Sequence, residues 1–213
     1  MASPPEQQFV ESALTFGKSY AILNLDLMSI LIDSIRGTTE GLVFIFNCSR
    51  WNDAVHRKGP RPLIVFTSLF FDPGELELAK GAPFGKLVER FGSFASDSPG
   101  VQIASDFTVD EQDIILQKTR WHAGTGNSLE QILRAQKIDT VILSGLSLSG
   151  VIMSTVYRLF DLDYHIYIIR DNVLELPPSH HPQVSQVMLD TLMPKMNLRV
   201  ISIDEALQRL ERS

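Results

Sequence analysis

Six short runs rich in β-branched and aromatic residues, separated by segments with helical spacing, constrain the fold of this chain most strongly. Apolar runs of this length are typical of strands that are buried on both faces. The runs are YAILNL (20–25), LIVFTSL (63–69), DIILQK (113–118), TVILSG (140–145), HIYIIR (165–170) and RVISI (199–203). The helical patterns cover 39–57, 128–137, 151–162, 182–193 and 204–212. The alternation predicts an α/β fold of three αβα layers, with a Rossmann-like, doubly wound, mostly parallel six-stranded sheet.

Two of the predicted helices need separate argument. The helix at 128 has a well-marked start, because Asn127 can cap it and Glu130, three residues later, can complete a capping box. The segment GLVFIFNCSRW (41–51) would suit a strand equally well at its centre. Its length and the following NDAVHRKG favour a helix.

The chain shows no linker that would divide it. Its 213 residues, 44% of them hydrophobic, suit one domain over 1–213 with a short flexible N-terminus, residues 1–15. The longest connection, 71–107, contains five glycines and three prolines. A connection of that length usually covers a ligand site or contributes to an oligomer contact.

Charge and cysteine content narrow the possible partners and the compartment. A net charge of −6 offers no basic surface, so nucleic acid and anionic membranes are poor candidates, and a small-molecule substrate or a protein is favoured. The single cysteine, Cys48, excludes an internal disulfide and fits a reducing compartment. No apolar run is long enough for a membrane span, and no targeting signal is evident, so we expect a cytoplasmic protein.

Polar and glycine-rich segments follow three of the predicted strands. Asp26 comes directly after the first strand, Lys118 closes the third, and Gly145 to Val151 joins the fourth to its helix. Ligands of doubly wound sheets bind beyond the carboxyl ends of the strands, so these groups are expected to converge on one cleft. Each also has a simpler reading: an Asp that caps a turn, a solvated lysine, and glycines that permit tight turns.

The same segments resemble the isochorismatase-like hydrolase superfamily, which includes isochorismatases, nicotinamidases and other cysteine hydrolases. The similarity runs from about Ser19 to Leu207 and rests on AILNLDLMS, ILQKTRWHAGTGNSLEQIL and VILSGLSLSGVIMSTVYRLFDLDYHIYIIRDNV, in that order. The resemblance implies the fold above, with Asp26 and Lys118 as catalytic residues. It puts Val151 at the position of the family's cysteine nucleophile, in an elbow whose backbone amides meet an oxyanion. Family members often have a cis peptide that would fall near Leu146–Ser147, which sequence alone does not predict.

Valine cannot act as a nucleophile, so covalent acyl chemistry from position 151 is excluded. Cys48 lies far upstream in a predicted helix and is expected in the core. GLSLSG departs from a G-x-S-x-G elbow, so Ser147 and Ser149 are expected to bind substrate or backbone. The other candidate substrate-binding residues are Trp121, His122, Leu146 and Gly150, with packing as the alternative for Trp121 and His122.

The resemblance to isochorismatases offers a route without cysteine, the hydrolysis of a vinyl ether by proton transfer. Asp26 would donate a proton to the enol carbon, and Lys118 could orient a substrate carboxylate or a water. A nearby ammonium also favours ionised Asp26, so burial would have to raise the pKa of Asp26 by more than Lys118 lowers it. We therefore expect noncovalent hydrolysis of a small anionic or carbonyl-bearing molecule. The alternative is a catalytically silent family member that binds a ligand or partner.

No cofactor or metal is predicted. The segment after the second strand offers Asp72 but no histidine, and the five histidines lack a ligand spacing. GTGNSL lacks the third glycine of a dinucleotide fingerprint and follows no strand directly. The resemblance implies a homo-oligomer, a dimer or tetramer.

Overall fold

The computed structural model describes residues 15–79 and 81–213, so the predicted flexible N-terminus lies outside the described residues except for Thr15. The fold is built on a six-stranded sheet with the order β3-β2-β1-β4-β5-β6, and every neighbouring pair is parallel. The strands are β1 (Tyr20–Leu25), β2 (Leu63–Leu69), β3 (Ile114–Lys118), β4 (Thr140–Leu146), β5 (His165–Leu174) and β6 (Arg199–Ile201). The predicted α/β fold is confirmed, and the described sheet is wholly parallel.

Helices cover both faces of this sheet. They are α1 (Ser29–Ile35), α2 (Thr39–His56), α3 (Pro83–Val88), α4 (Leu129–Ala135), α5 (Met153–Phe160), α6 (His181–Val187), α7 (Met193–Lys195) and α8 (Ile203–Arg212). A π-helical turn, Leu148–Ile152, precedes α5, and a second one, Met188–Leu192, joins α6 to α7. All five predicted helical patterns contain a helix. The short helices α1 and α3 were not predicted, because neither has a side-chain cap or an acidic first turn to mark it.

One predicted capping box and two predicted strand ends need correction. The Leu129 amide donates to Asn127 Oδ1 at 3.0 Å, but the carboxylate of Glu130 binds Arg158 at 2.7 Å, so the predicted capping box does not form at α4. A complete capping box, made by Ser202 and Glu205, instead starts α8 and ends β6 earlier than expected. Strand β5 also continues beyond residue 170 to Leu174.

Alternate residues of the central strands feed two cores. Ile22 of β1 faces the core under α2 and α8, where Trp51 is fully buried. Leu23 faces the opposite core, under α4 and α5. This alternation follows from the two-residue period of a strand, and it explains why both faces of β1 are apolar. Cys48 is 2% exposed in the first core, as expected.

Three large apolar side chains of α2, Leu42, Val43 and Phe46, are instead more than half exposed. The homo-oligomer stays a prediction.

Within the described part of the chain, no helix combines the length and apolarity needed to cross a membrane.

Gly145 allows β1 and β4 to approach closely at the carboxyl end of the sheet. Its φ is +151°, and a Cβ at this position would lie 2.2 Å from the Leu25 carbonyl oxygen. We expect Gly145→Ala to lower the free energy of unfolding by about 2–6 kcal/mol, from backbone strain and overpacking. Urea unfolding measures this loss. Gly37→Ala is the control, because a Cβ at Gly37 meets nothing within 4 Å, and equal stability of the two variants would contradict the prediction.

Candidate active site

The sheet has its topological switch point between β1 and β4. From β1 the chain continues towards β2 on one side, whereas from β4 it continues towards β5 on the other. Departing connections leave a crevice beyond the carboxyl ends of such strands. Asp26 follows β1 and the glycine-rich elbow follows β4, so both lie at this crevice as predicted.

Asp26 and Lys118 form a buried ion pair across three strands. Lys118 Nζ lies 2.7 Å from Asp26 Oδ2, and the side chains are 0% and 5% exposed. Because β2 separates β1 from β3, the long lysine side chain spans the intervening strand. Thr67 of β2 donates its hydroxyl to Asp26 Oδ1 at 2.9 Å. Sequence reasoning missed Thr67, although its position near the end of β2 is a signal that could have identified it.

The backbone at Asp26 is held in a left-handed conformation. Its φ is +59°, which non-glycine residues adopt at a cost of about 1–3 kcal/mol. The Asp26 amide donates to the Thr67 carbonyl oxygen at 3.1 Å. This turn ends β1 and directs the carboxyl group towards Thr67 and Lys118.

Burial has the largest effect on the pKa of both Asp26 and Lys118. It raises the pKa of Asp26 above its usual range, more than the attraction of Lys118 and the hydrogen bonds from Lys118 and Thr67 lower it. Burial also lowers the pKa of Lys118, against the opposing effect of Asp26. The direction at Asp26 is the one that a proton donor requires.

Lys118 is fully enclosed by protein. Its ammonium donates to Asp26 and, at 2.9 Å, to the Arg120 carbonyl oxygen. With no exposed surface, it cannot reach a substrate carboxylate directly. This arrangement supports a role in positioning Asp26.

The elbow after β4 is compact. The peptide bond between Leu146 and Ser147 is cis, and the π-helical turn follows. A Cβ on Gly150 would lie 2.7 Å from Ser147 Oγ and 3.2 Å from the indole of Trp121. Glycine at this position therefore allows Trp121 and Ser147 to pack against the elbow.

Val151 lies in the second core. It is 1% exposed, in the same apolar cluster as Leu148 and Ile152. It does not line the cavity described below. The position that the resemblance assigns to the family nucleophile therefore carries an inert side chain that lies outside the cavity wall.

Glu175 is a site residue that sequence reasoning missed. It is 5% exposed and directly follows β5. Its Oε2 accepts from the Ser149 amide at 2.7 Å, and its Oε1 accepts from the Ser149 hydroxyl at 2.9 Å. The predicted end of β5 at residue 170 hid the signal, because an acidic residue that directly follows a strand marks the ligand edge of the sheet. Its carboxylate occupies one backbone donor of the elbow.

A cavity of about 200 Å³ opens at this crevice. Its polar groups come from Asp26, Ser147, Ser149 and Glu175. Most of the remaining wall is apolar, including Leu69, Val88, Phe91, Phe94, Trp121 and Leu146. Several of these lie in the 71–107 connection, which covers the cavity on one side. A site of this size and lining suits a small organic molecule.

His122 lies outside this cavity wall. Its ring packs beside Gly124, and Thr125 Oγ1 lies 3.4 Å from its Nδ1. Burial lowers the pKa of His122, and its Nε2 has no hydrogen-bond partner among the described residues. Its contact with substrate stays a prediction, as does that of Gly150, which also lies behind the wall.

One group of potential metal ligands comes together elsewhere. His56, Asp110 and Asp113 bring one ligand atom each within 4.8 Å of one another. Arg61, however, binds both carboxylates at 2.5 Å, and His56 Nε2 lies 2.9 Å from Asp113. The positive charge of Arg61 already compensates the two carboxylates, so the cluster is explained as an ion-pair network.

Comparison with known proteins agrees with this architecture. Solved structures with a similar fold include an isochorismatase family protein from Burkholderia thailandensis (18% identity, TM-score 0.74, covering 92% of this chain and 98% of that one). A cysteine hydrolase from Pseudomonas syringae pv. phaseolicola 1448A has 15% identity and a TM-score of 0.77, covering 91% and 92%. An N-carbamoylsarcosine amidase from Thermoplasma acidophilum has 20% identity and a TM-score of 0.68, covering 88% and 98%.

Sequence comparison gives a closer classification. YecD of Escherichia coli O157:H7, described as an uncharacterized isochorismatase family protein, is 29% identical over 100 residues. That match spans 47% of this chain and about half the length of the curated relative, 50%. The family model for the isochorismatase domain matches residues 20–205, nearly the whole chain. The chain therefore belongs to the isochorismatase family.

Proposed function

We propose that this family member is a hydrolase that works without a covalent intermediate, with Asp26 as its general acid. The observation that carries the proposal is the Asp26 carboxyl on the cavity wall, buried and bound by Lys118 and Thr67. Its raised pKa favours the protonated form that a donor needs. Lys118 and Thr67 would act as positioning residues.

The reaction that suits a buried proton donor without a nucleophile is the hydrolysis of an enol ether. The Asp26 carboxyl transfers its proton to the enol carbon, which leaves an oxocarbenium centre and an aspartate. Water then adds to that centre and returns a proton to Asp26. The hemiketal finally breaks its bond to the leaving alcohol, and a ketone forms. Proton transfer by a positioned side chain contributes about 10²–10⁴-fold to such a rate.

The charge of the cavity narrows the substrate class expected from sequence. Glu175 lines it as a carboxylate, Asp26 is proposed to hold its proton there, and no lysine or arginine among the described residues lines the wall. Like charges brought together in a poorly solvated site repel strongly. The arrangement argues against the anionic substrates included in the sequence-based expectation and supports the carbonyl-bearing or enol-ether alternative.

A catalytically silent, ligand-binding protein is the second candidate. Two observations favour it: Val151 is sealed in the core, and Glu175 occupies the Ser149 amide. Neither observation changes the Asp26 carboxyl or its contacts with Lys118 and Thr67, on which proton donation depends. The presence or absence of turnover therefore separates the two candidates.

A substrate panel in H₂¹⁸O tests the proposal. Isochorismate, neutral enol ethers, amides and esters are supplied to the protein, and products are followed by mass spectrometry. We expect turnover of an enol ether with ¹⁸O in the ketone, because water attacks the oxocarbenium carbon. Hydrolysis of amides or esters through an acyl-enzyme would contradict the proposal, and ligand binding without any turnover would favour the silent protein.

Placing a thiol at residue 151, the position that the resemblance assigns to the family's cysteine, is not expected to create amidase activity. Because position 151 is 1% exposed and outside the cavity wall, Val151→Cys should show no amide turnover above that of wild type. Its thiol should also alkylate slowly with iodoacetamide, read by mass spectrometry against wild type, whose only cysteine is the buried Cys48. Rapid alkylation together with new amidase activity would show that position 151 is accessible to substrate.

A further inference from the structure

Glu175 is a buried carboxylate, and the groups that bind it among the described residues are neutral. Its two oxygens accept hydrogen bonds from the amide and the hydroxyl of Ser149. Asp26, by contrast, has the Lys118 ammonium at 2.7 Å. The two carboxyl groups of the cavity therefore differ in their surroundings, because Asp26 lies beside a cation and Glu175, as far as the described residues go, does not.

No positive charge of the described residues compensates Glu175. Among residues 15–79 and 81–213, no nitrogen of Lys, Arg or His forms an ion pair with its carboxylate within 4.0 Å. The nearby His181 accepts the Glu175 amide hydrogen at its Nδ1, at 3.2 Å, so that nitrogen is unprotonated. Burial lowers the pKa of His181, against the opposing effect of Glu175, and so favours the neutral ring. Buried charges are normally paired, so within the part of the chain that the structure describes this carboxylate lacks its usual counter-ion.

The wall around Glu175 suits an organic cation. Phe91, Phe94 and Trp121 line the same cavity, and aromatic faces attract ammonium and guanidinium groups. Leu69 and Leu176 offer surface for an apolar body. Trp121 is 43% exposed, so part of its indole remains available for a ligand.

We propose that the cavity selects a small organic cation, an ammonium or amidinium group on an apolar body, with Glu175 as its counter-ion. This inference deepens the proposed function, and rests on it only in taking the cavity as the substrate site. The substrate of the hydrolase would then carry a positive charge. Glu175 acts as a specificity residue, and Asp26 keeps the proton transfer.

Three probes of nearly equal shape test the charge preference. Benzylamine, benzyl alcohol and benzoate, which are cationic, neutral and anionic at pH 7, are titrated into the full-length protein by isothermal titration calorimetry. We expect benzylamine to bind at least about tenfold more tightly than benzyl alcohol, and benzoate to bind most weakly. Equal binding of the three, tighter binding of benzoate, or no detectable binding of any would overturn the inference.

Glu175→Gln identifies the counter-ion. Glutamine keeps an oxygen for the Ser149 amide, and the preference for benzylamine over benzyl alcohol should fall to within about twofold. Glu211→Gln on the exposed end of α8 is the matched control and should keep the wild-type preference. An unchanged preference in Glu175→Gln would overturn the assignment. The wild-type titrations stand even if this variant fails to fold, which circular dichroism checks.

The binding assay and the turnover assay fail independently. Selective binding of benzylamine with no turnover of any enol ether would overturn the proposed hydrolase and leave the cation site standing. Turnover that depends on Asp26, with no preference for benzylamine, would do the reverse.

Discussion

Asp26→Asn is expected to lower the turnover of an enol ether by about 10²–10⁴-fold, the usual contribution of a positioned general acid. Asparagine has nearly the same shape and still offers an oxygen to Lys118 or Thr67, but it has no carboxyl proton to give. Initial rates of ketone release, measured at saturating substrate, check the loss. Wild-type rates in this variant would exclude Asp26 as the acid.

The pH dependence of the wild type adds a second criterion. The carboxyl must be protonated to act, and burial raises the pKa of Asp26. Turnover should therefore fall as the pH rises through that raised pKa. The control is Asp33→Asn on α1, whose side chain is 65% exposed and pairs with Arg36, and it should keep both rate and profile. A rate that rises with pH across this range would point to a base instead.

Lys118→Met should lower the free energy of unfolding by about 3–5 kcal/mol near pH 8, because it leaves Asp26 buried without its counter-ion. Methionine keeps most of the side-chain volume, so the loss reports charge rather than a cavity. Urea unfolding at fixed pH measures it.

The loss should depend on pH in a defined direction. Without the ammonium, the folded-state pKa of Asp26 rises further above the usual value that the group has in the unfolded chain. The folded variant then holds a proton that the unfolded chain releases, so its stability is greatest below about pH 4 and is lost as the pH rises through the folded pKa. The gap to wild type should narrow at low pH.

The double variant Asp26→Asn, Lys118→Met is the control for this pair. It removes both charges, so it should recover much of the stability lost in Lys118→Met. Additive losses in the double variant, or a loss that does not change between pH 4 and pH 8, would show that Asp26 and Lys118 are not energetically coupled.

Local patterns in the sequence determined the element types and their order. The β-branched runs predicted all six strands, and helical spacing predicted a helix in each of five segments. Both signals are local, because the periodicity of an element depends on near neighbours in the chain. They also placed Asp26 and Lys118 at strand ends. The short helices α1 and α3 were not predicted, because so few residues do not show a helical periodicity. The capping box predicted with Glu130 does not form, because Arg158, which is distant in sequence, binds that carboxylate.

The sequence by itself therefore determined the α/β architecture and the edge of the sheet at which Asp26, Lys118 and the elbow lie, and it predicted that Val151 stands at the position of the family nucleophile. Only the tertiary structure decided that Lys118 is buried beside Asp26, that His122 lies outside the cavity wall, and that Glu175 lines the cavity with no ion-pair partner among the described residues. Those contacts depend on strand order and on how far side chains reach across neighbouring strands. Burial then determines their protonation, because the cost of charge depends on the surroundings in three dimensions rather than on the residue type.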